Sequence, residues 1–134
     1  MKRGTFFGLL AGLALAAGGI RVSGHHSFEA EFSRDLPVEV TGTVTRVDWL
    51  NPHARFHIDV ESEDGEVVNW DFELGSPNNL MRRGWTRNSL RIGDVVSVAG
   101  SRARNAPHVA NASTVTLATG QRVFAGSSGG DPGP

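Results

Sequence analysis

The chain has 134 residues, enough for one domain and too few for two ordinary ones, and it contains no cysteine. Disulfides and a cysteine-anchored lipid are therefore excluded, and packing alone must stabilise the fold. Removing residues 1–24 leaves ten arginines against 14 acidic residues, a net charge of −4. Such acidity argues against general nucleic-acid binding, which needs a basic face.

Residues 1–24 have the pattern of a secretory signal peptide. Lys2 and Arg3 precede an uncharged apolar run over residues 6–17, which is shorter than the roughly 20 residues of a spanning helix. The alternative is an uncleaved N-terminal anchor. We therefore expect a periplasmic or secreted protein with no membrane span after the signal is cleaved.

The site of cleavage decides which residue begins the mature protein. Signal peptidases prefer small residues at the −3 and −1 positions, and Val22 and Gly24 satisfy this preference. Cleavage after Ala17 or Gly19 is also compatible with the sequence. Cleavage after Gly24 would make His25 the first residue and give it a free α-amine.

The remaining chain divides by composition into an N-terminal arm, residues 25–36, a β-rich body, residues 37–124, and a tail, residues 125–134. The tail AGSSGGDPGP has almost nothing to bury and is predicted to be disordered. The first strand alternates from Val38 to Val44, and then Val47 and Trp49 take the opposite parity. A period-two pattern changes phase only through a bulge or bend, which we place near residues 45–46.

The segments ARFHIDVES and EVVNWDFEL alternate regularly and predict the second and third strands. A three-residue loop at Glu63-Asp64-Gly65, with Gly65 left-handed, keeps their apolar faces on the same side. Phe56, Ile58, Trp70 and Phe72 then point inward. The resulting cross-strand pairs are His57 with Asp71, Arg55 with Glu73, and Asp59 with Asn69.

The segment GSPNNLMRRGW predicts a short helix that Ser76 caps, Pro77 opens and Gly84 ends. Further strands are expected around residues 96–98, at 115–117 and at 123–124. Three strands, a short helix and two or more strands predict an all-β fold, a small OB-like barrel of five to six strands with one short helix between strands 3 and 4. A six-stranded β-sandwich is the structural alternative.

The segments HHSFEAEF, NPHARFHIDV, NWDFELGSPNNLMRRGW and ANASTVTLATGQRVFAGS resemble a family of small exported bacterial proteins of unknown function. The resemblance runs from about His25 to Ser127. It implies export and a small β-barrel, and it implies no reaction. Arg55, which follows NPHA, departs from the family pattern, where an aromatic or aliphatic residue is expected.

Histidines are the candidate metal ligands. An N-terminal histidine chelates metals through its α-amine and Nδ1, a donor set that suits Cu(II). His25 with help from His26, His53, His57 or His108 therefore predicts a copper or zinc site. The alternative is an arm that packs through aromatic residues and leaves its histidines in water. His57 with Asp71 opposite is either a ligand with its orienting carboxylate or a plain surface pair.

The outer face of the second and third strands is where OB-type barrels often bind ligands, and it is the candidate ligand face. Its predicted members are Arg55, Asp59, Asn69, Asp71 and Glu73, together with His57. Trp85 is added as a contact residue if it is exposed, whereas a buried Trp85 would seal the barrel end.

No catalytic arrangement is evident, because the sequence has no cysteine nucleophile, no Gly-x-Ser-x-Gly and no phosphate loop. We therefore expect a binding module whose first candidate ligand is copper or zinc. A metal-free module for an envelope protein, another envelope component or a small ligand is the alternative. A metal-dependent enzyme is the third possibility and would need an open coordination position.

Overall fold

A computed structural model of the chain describes residues 24–125, with side chains from Phe28 onward. The predicted cleavage region before Gly24 and residues 126–134 of the predicted tail lie outside the described residues. The elements in chain order are α1 (Gly24–Glu31), β1 (Phe32–Asp48), β2 (Arg55–Glu61), β3 (Val67–Glu73), α2 (Pro77–Arg82), β4 (Val95–Ala103), β5 (Val109–Thr116) and β6 (Arg122–Phe124).

The strands form one sheet in the order β3-β2-β1-β4-β5-β6, and β3 also pairs with β5. The β3–β5 pairing is parallel and the other pairings are antiparallel, so five strands close a hydrogen-bonded ring and β6 extends from β5. This arrangement confirms the predicted small all-β fold, with its short helix between the third and fourth strands. A two-sheet sandwich is not observed over residues 24–125.

The long first strand bends where the sequence predicted. Its pairing with β2 shifts register between Val44 and Arg46, which lets Val47 pair with Phe56. Close approach at Gly42 assists the curvature, because a Cβ there would collide with the backbone carbonyl of Asp59. The bend carries the end of β1 across β2 and brings Asp48 opposite Arg55.

The β2–β3 hairpin has the predicted register. Ser62 donates its N–H to the Glu66 carbonyl at 2.8 Å, and Gly65 lies at φ 82° in the left-handed region. The observed cross-strand pairs are Arg55 with Glu73, His57 with Asp71 and Asp59 with Asn69. The alternation therefore holds along the hairpin, and it fixes which side chains reach the outer surface.

The helix α2 begins and ends as predicted. Ser76 is its N-cap, Pro77 opens it, and Gly84 beyond its end has φ 90°. The chain then turns inward, so that the Trp85 side chain is buried and its Nε1–H donates to the Phe124 carbonyl at 2.8 Å.

The main core lies inside the ring of strands. Phe56, Ile58 and Phe72 are fully buried in it, and Trp70 is partly buried and stacks on Phe72 with centroids 5.8 Å apart. Ala125, which the sequence assigned to the tail, is fully buried and donates its N–H to the Ser113 carbonyl at 2.9 Å.

A second, smaller cluster joins α1 to the body. Residues 25–36, predicted as an arm, form most of α1 and the start of β1. Phe28 and Phe32 are buried against Ala103, with Ala106 and Val109 packed beside them. The arm is therefore anchored by its aromatic residues. Within residues 24–125 no helix combines the length and apolarity needed to cross a bilayer.

Candidate functional site on the β2–β3 face

Polar side chains cover the outer surface of the β2–β3 hairpin and the adjoining end of β1. We call this surface the β2–β3 face. Its members are Asp48, His53, Arg55, His57, Asp59, Asn69, Asp71 and Glu73. It contains the predicted candidate ligand face apart from Trp85.

Arg55 lies at the centre of this face and binds two carboxylates of β3. Its Nε and one terminal nitrogen donate to the two oxygens of Asp71 at 3.0 and 2.9 Å, and its other terminal nitrogen donates to Glu73 at 3.0 Å. Partial burial opposes the charge of Arg55, but Asp71, followed by Glu73 and Glu31, outweighs this and raises the pKa of the guanidinium. Arg55 is therefore held as a fixed cation.

Glu73 is the most buried carboxylate of the face, with 11% of its side chain exposed. Besides the bond from Arg55, its Oε1 lies 3.0 Å from His53 Nδ1 and accepts a long hydrogen bond of 3.5 Å from Asn111. The parallel pairing of β3 with β5 places Asn111 opposite Glu73. Partners on several sides therefore hold this carboxylate in place.

His57 lies between two carboxylates without a direct hydrogen bond to either. Its Nε2 is 3.9 Å from Asp48 Oδ2 and 3.8 Å from Asp71 Oδ1. Asp48 is itself bound by Arg46, whose Nε donates at 3.0 Å to Oδ1. The imidazole therefore interacts with these carboxylates through space, at distances longer than an ordinary hydrogen bond.

At the Asp59 end of the face, the side chains are joined by hydrogen bonds from an uncharged donor. Asn69 donates to Asp59 at 2.7 Å and to the Thr45 hydroxyl at 3.2 Å. Both hydrogen bonds are exposed to solvent. The Asp59 carboxylate has no cationic partner among the residues described in this structure.

The charges of the face do not balance. Among the described residues, Arg55 is the one arginine paired with both Asp71 and Glu73. Asp48 has Arg46, and Asp59 adds a further negative charge. With neutral histidines the surface is net acidic and complements a cationic group.

A sequence model of a family of unknown function, DUF6152, matches residues 13–111. That span is well over half of the chain. The chain belongs to this DUF6152 family. Membership confirms the predicted resemblance to an uncharacterised family, and the β2–β3 face lies inside the matched region.

Other comparisons add little to the family assignment. Among curated proteins, none matches this DUF6152 chain. The solved structure of TiaS in complex with an isoleucine tRNA and ATP contains a chain 23% identical to it, with a TM-score of 0.43. The match covers 60% of this chain and 18% of that one, and it carries no argument about fold or function.

Among the predicted metal ligands of this DUF6152 chain, each histidine with a described side chain has its own neighbours. His53 contacts Glu73, and His57 lies near Asp48 and Asp71. The ring of His108 packs edge-to-face with that of Trp70, with the two ring centroids 5.3 Å apart. No three His, Cys, Asp or Glu side chains of the described part group as a metal site. His25 and His26 lie in α1, and their side chains are outside the described residues.

Trp85 does not belong to the ligand face. Only 2% of it is exposed, because it packs in the core and its N–H bonds to the Phe124 carbonyl. The expectation of an exposed contact residue at this position is wrong, because Trp85 belongs to the main core.

Sequence reasoning missed three members of the polar network: Asp48, Asn111 and Glu31. The parity of Val47 and Trp49 could have identified Asp48 as outward, because residues on either side of it point inward. No local signal pointed to Asn111, which reaches Glu73 only through the parallel pairing of β3 with β5. Glu31 acts on Arg55 only through space, because the packing of α1 beside the sheet brings the two charges near each other.

Proposed function

We propose that this chain is an exported binding module that holds a cationic ligand on the β2–β3 face. The observation that carries the proposal is the sharing of the single guanidinium of Arg55 by Asp71 and Glu73, beside the carboxylate of Asp59, which is unpaired within the described part of the chain. One guanidinium cannot neutralise several carboxylates, so the surface attracts a second cation. The outer face of these strands is also where OB-type barrels often bind ligands.

Preorganisation supports the same proposal. Bidentate bonds from Arg55 fix Asp71, and contacts from His53 and Asn111 fix Glu73. Carboxylates that are already fixed lose little conformational freedom when a ligand binds, so less binding energy is spent on ordering them. Asp59 lies toward one end of the face, and its carboxylate, which has no cationic partner among the described residues, attracts the approaching cation.

Spermidine is a suitable probe cation for testing the face. We expect the full chain, expressed with residues 1–24 and purified after processing, to bind spermidine in a calorimetric titration. Asp59→Asn should weaken binding about fivefold, since an exposed charge pair contributes up to about 1 kcal/mol. Glu63→Gln is the matched control, because it removes one exposed charge in the hairpin loop away from the face.

Equal weakening by Asp59→Asn and Glu63→Gln would mean that spermidine responds only to net charge, and it would contradict the proposed site. Export is tested on the same material. Recovery from the periplasm with His25 as the first residue supports the signal-peptide prediction, and retention of Met1 in the cytoplasm would contradict it.

Copper or zinc binding is the second candidate, and the geometry of His53 favours it. His53 Nδ1 faces the Glu73 carboxylate at 3.0 Å, which leaves Nε2 as the nitrogen available to a metal. Its side chain is 41% exposed, so an N-terminal His25 chelate could approach it. The orienting carboxylate is the arrangement typical of metal-binding histidines.

The copper proposal is tested by Cu(II) titration of the processed protein, followed by visible absorption and electron paramagnetic resonance. His25→Ala and His53→Ala should each weaken binding and alter the spectrum. His108→Ala is the control, because that ring packs on Trp70 and has no carboxylate partner among the described residues. A His25→Ala protein that binds copper as tightly as the unsubstituted protein would remove this candidate.

A further inference from the structure

A cleft of about 550 Å³ opens between the end of α1 and the β4–β5 connection. Its volume lies in the range of about 300–1,000 Å³ that is usual for small-molecule sites. It is lined mainly by small apolar side chains, with a carboxylate and an amide among them. The lining residues are Ala30, Glu31, Ala103, Asn105, Ala106 and Val109.

The cleft adjoins the β2–β3 face. Val109, one of its walls, is the β5 partner of Asp71 in the parallel pairing. Glu31, another wall, is close enough to Arg55 to raise the pKa of that guanidinium. A molecule in the cleft would therefore have one end beside the acidic network.

Glu31 gives the cleft its charge. Within the described part of the chain its carboxylate makes no hydrogen bond or ion pair, and Arg55 acts on it only through space. An exposed carboxylate bordering an apolar cleft complements a ligand that combines an apolar body with a cationic group. A simple metal ion would leave the apolar walls uncovered, and a neutral hydrocarbon would leave Glu31 without a partner.

We propose that the ligand is an amphipathic amine, whose alkyl or aromatic body fills the cleft and whose ammonium group lies between Glu31 and the β2–β3 face. This inference rests on the proposed cation-binding function and specifies its ligand class. The cleft favours ligands with an apolar body because it buries that body, and the carboxylates favour ligands with a positively charged group.

The inference predicts a dependence of affinity on alkyl length. Burying a methylene group is favourable enough to increase affinity about threefold to fourfold. In calorimetric titrations of the processed protein we expect affinity to rise from methylammonium through butylammonium to hexylammonium. Hexanol, with the same chain and no charge, should bind at least about fivefold more weakly than hexylammonium, from the loss of an exposed charge pair.

Two kinds of variant distinguish the contribution of the cleft to affinity from the contribution of the carboxylate charge. Ala30→Phe and Ala106→Phe fill the cleft from opposite walls, and each should abolish the dependence on chain length while spermidine binding persists. Ala30 is exposed on α1, so its substitution leaves the core intact. Glu31→Gln should weaken hexylammonium binding and leave hexanol unchanged, whereas Glu39→Gln, an exposed acid of β1 outside the cleft, should change neither.

The outcomes distinguish the two proposals. Spermidine binding with no gain from methylammonium to hexylammonium would overturn the amphipathic ligand and leave the cationic face standing. Hexanol that binds as tightly as hexylammonium would overturn the amine assignment. Failure of spermidine and of every amine to bind would overturn both proposals.

Discussion

Replacing Arg55 with methionine is the sharpest test of the polar network. The guanidinium donates three hydrogen bonds of 2.9–3.0 Å to Asp71 and Glu73, whose side chains are 27% and 11% exposed. Removing one partner from a fully buried ion pair costs about 3–5 kcal/mol, and partial solvation here reduces that cost. We expect Arg55→Met to lower the free energy of unfolding by about 3 kcal/mol and Tm by about 15 °C.

The measurement is urea unfolding followed by circular dichroism and tryptophan fluorescence. Arg46→Met is the matched control, since Arg46 also pairs with a carboxylate but its side chain is 65% exposed. We expect that control to cost less than about 1 kcal/mol. Equal effects of Arg46→Met and Arg55→Met would refute the reasoning, because burial would then have no influence on the pair.

A double substitution distinguishes two costs to stability: the loss of the Arg55 side chain itself and the loss of a cationic partner for the carboxylates that remain. Arg55→Met combined with Asp71→Leu removes both halves of the bidentate pair, while Glu73 keeps His53 and Asn111 as neighbours. Replacing a buried ion pair by apolar side chains is often neutral, so the double variant should be more stable than Arg55→Met alone. A double variant that is less stable than the single one would contradict this account.

Other substitutions test the scaffold that holds the face. Gly42→Ala should lower the free energy of unfolding by about 2 kcal/mol, because its Cβ meets the Asp59 backbone, and thermal melting would measure the loss. Trp85→Phe removes the hydrogen bond to the Phe124 carbonyl and should cost about 1–2 kcal/mol in urea unfolding; no change would show that the bond is dispensable. Ser76→Ala should cost about 1 kcal/mol through loss of the α2 N-cap, and Ser76→Thr should restore most of it.

Local pattern predicted the centre of the candidate site. Strict alternation in β2 and β3 left one loop length that keeps both apolar faces inward, and that loop fixed Arg55 opposite Glu73 and His57 opposite Asp71. The bend in β1 followed from a change in parity at residues 45–46. Period-two patterning is reliable here because one face of each strand is buried in the core.

Long-range placement could not be predicted in the same way. Asn111 and Glu73 are 38 residues apart in the sequence, and the parallel pairing of β5 with β3 brings them together. The alternation within either strand does not encode that pairing. Trp85 follows a helix-ending glycine, and only the position of β6 supplies the Phe124 carbonyl that accepts its indole N–H. Each of these contacts depends on closure of the strand ring, a tertiary event with no local signature.

The β2–β3 face carries more acidic side chains than the fold requires. Alternation demands polar side chains at the outward positions of β2 and β3, and threonine or a balanced set of charges would satisfy it. Instead Asp71 and Glu73 share the single cation Arg55, and Asp59 has no cationic partner among the described residues. This excess of carboxylates beside an apolar cleft supports the proposal of a cationic ligand.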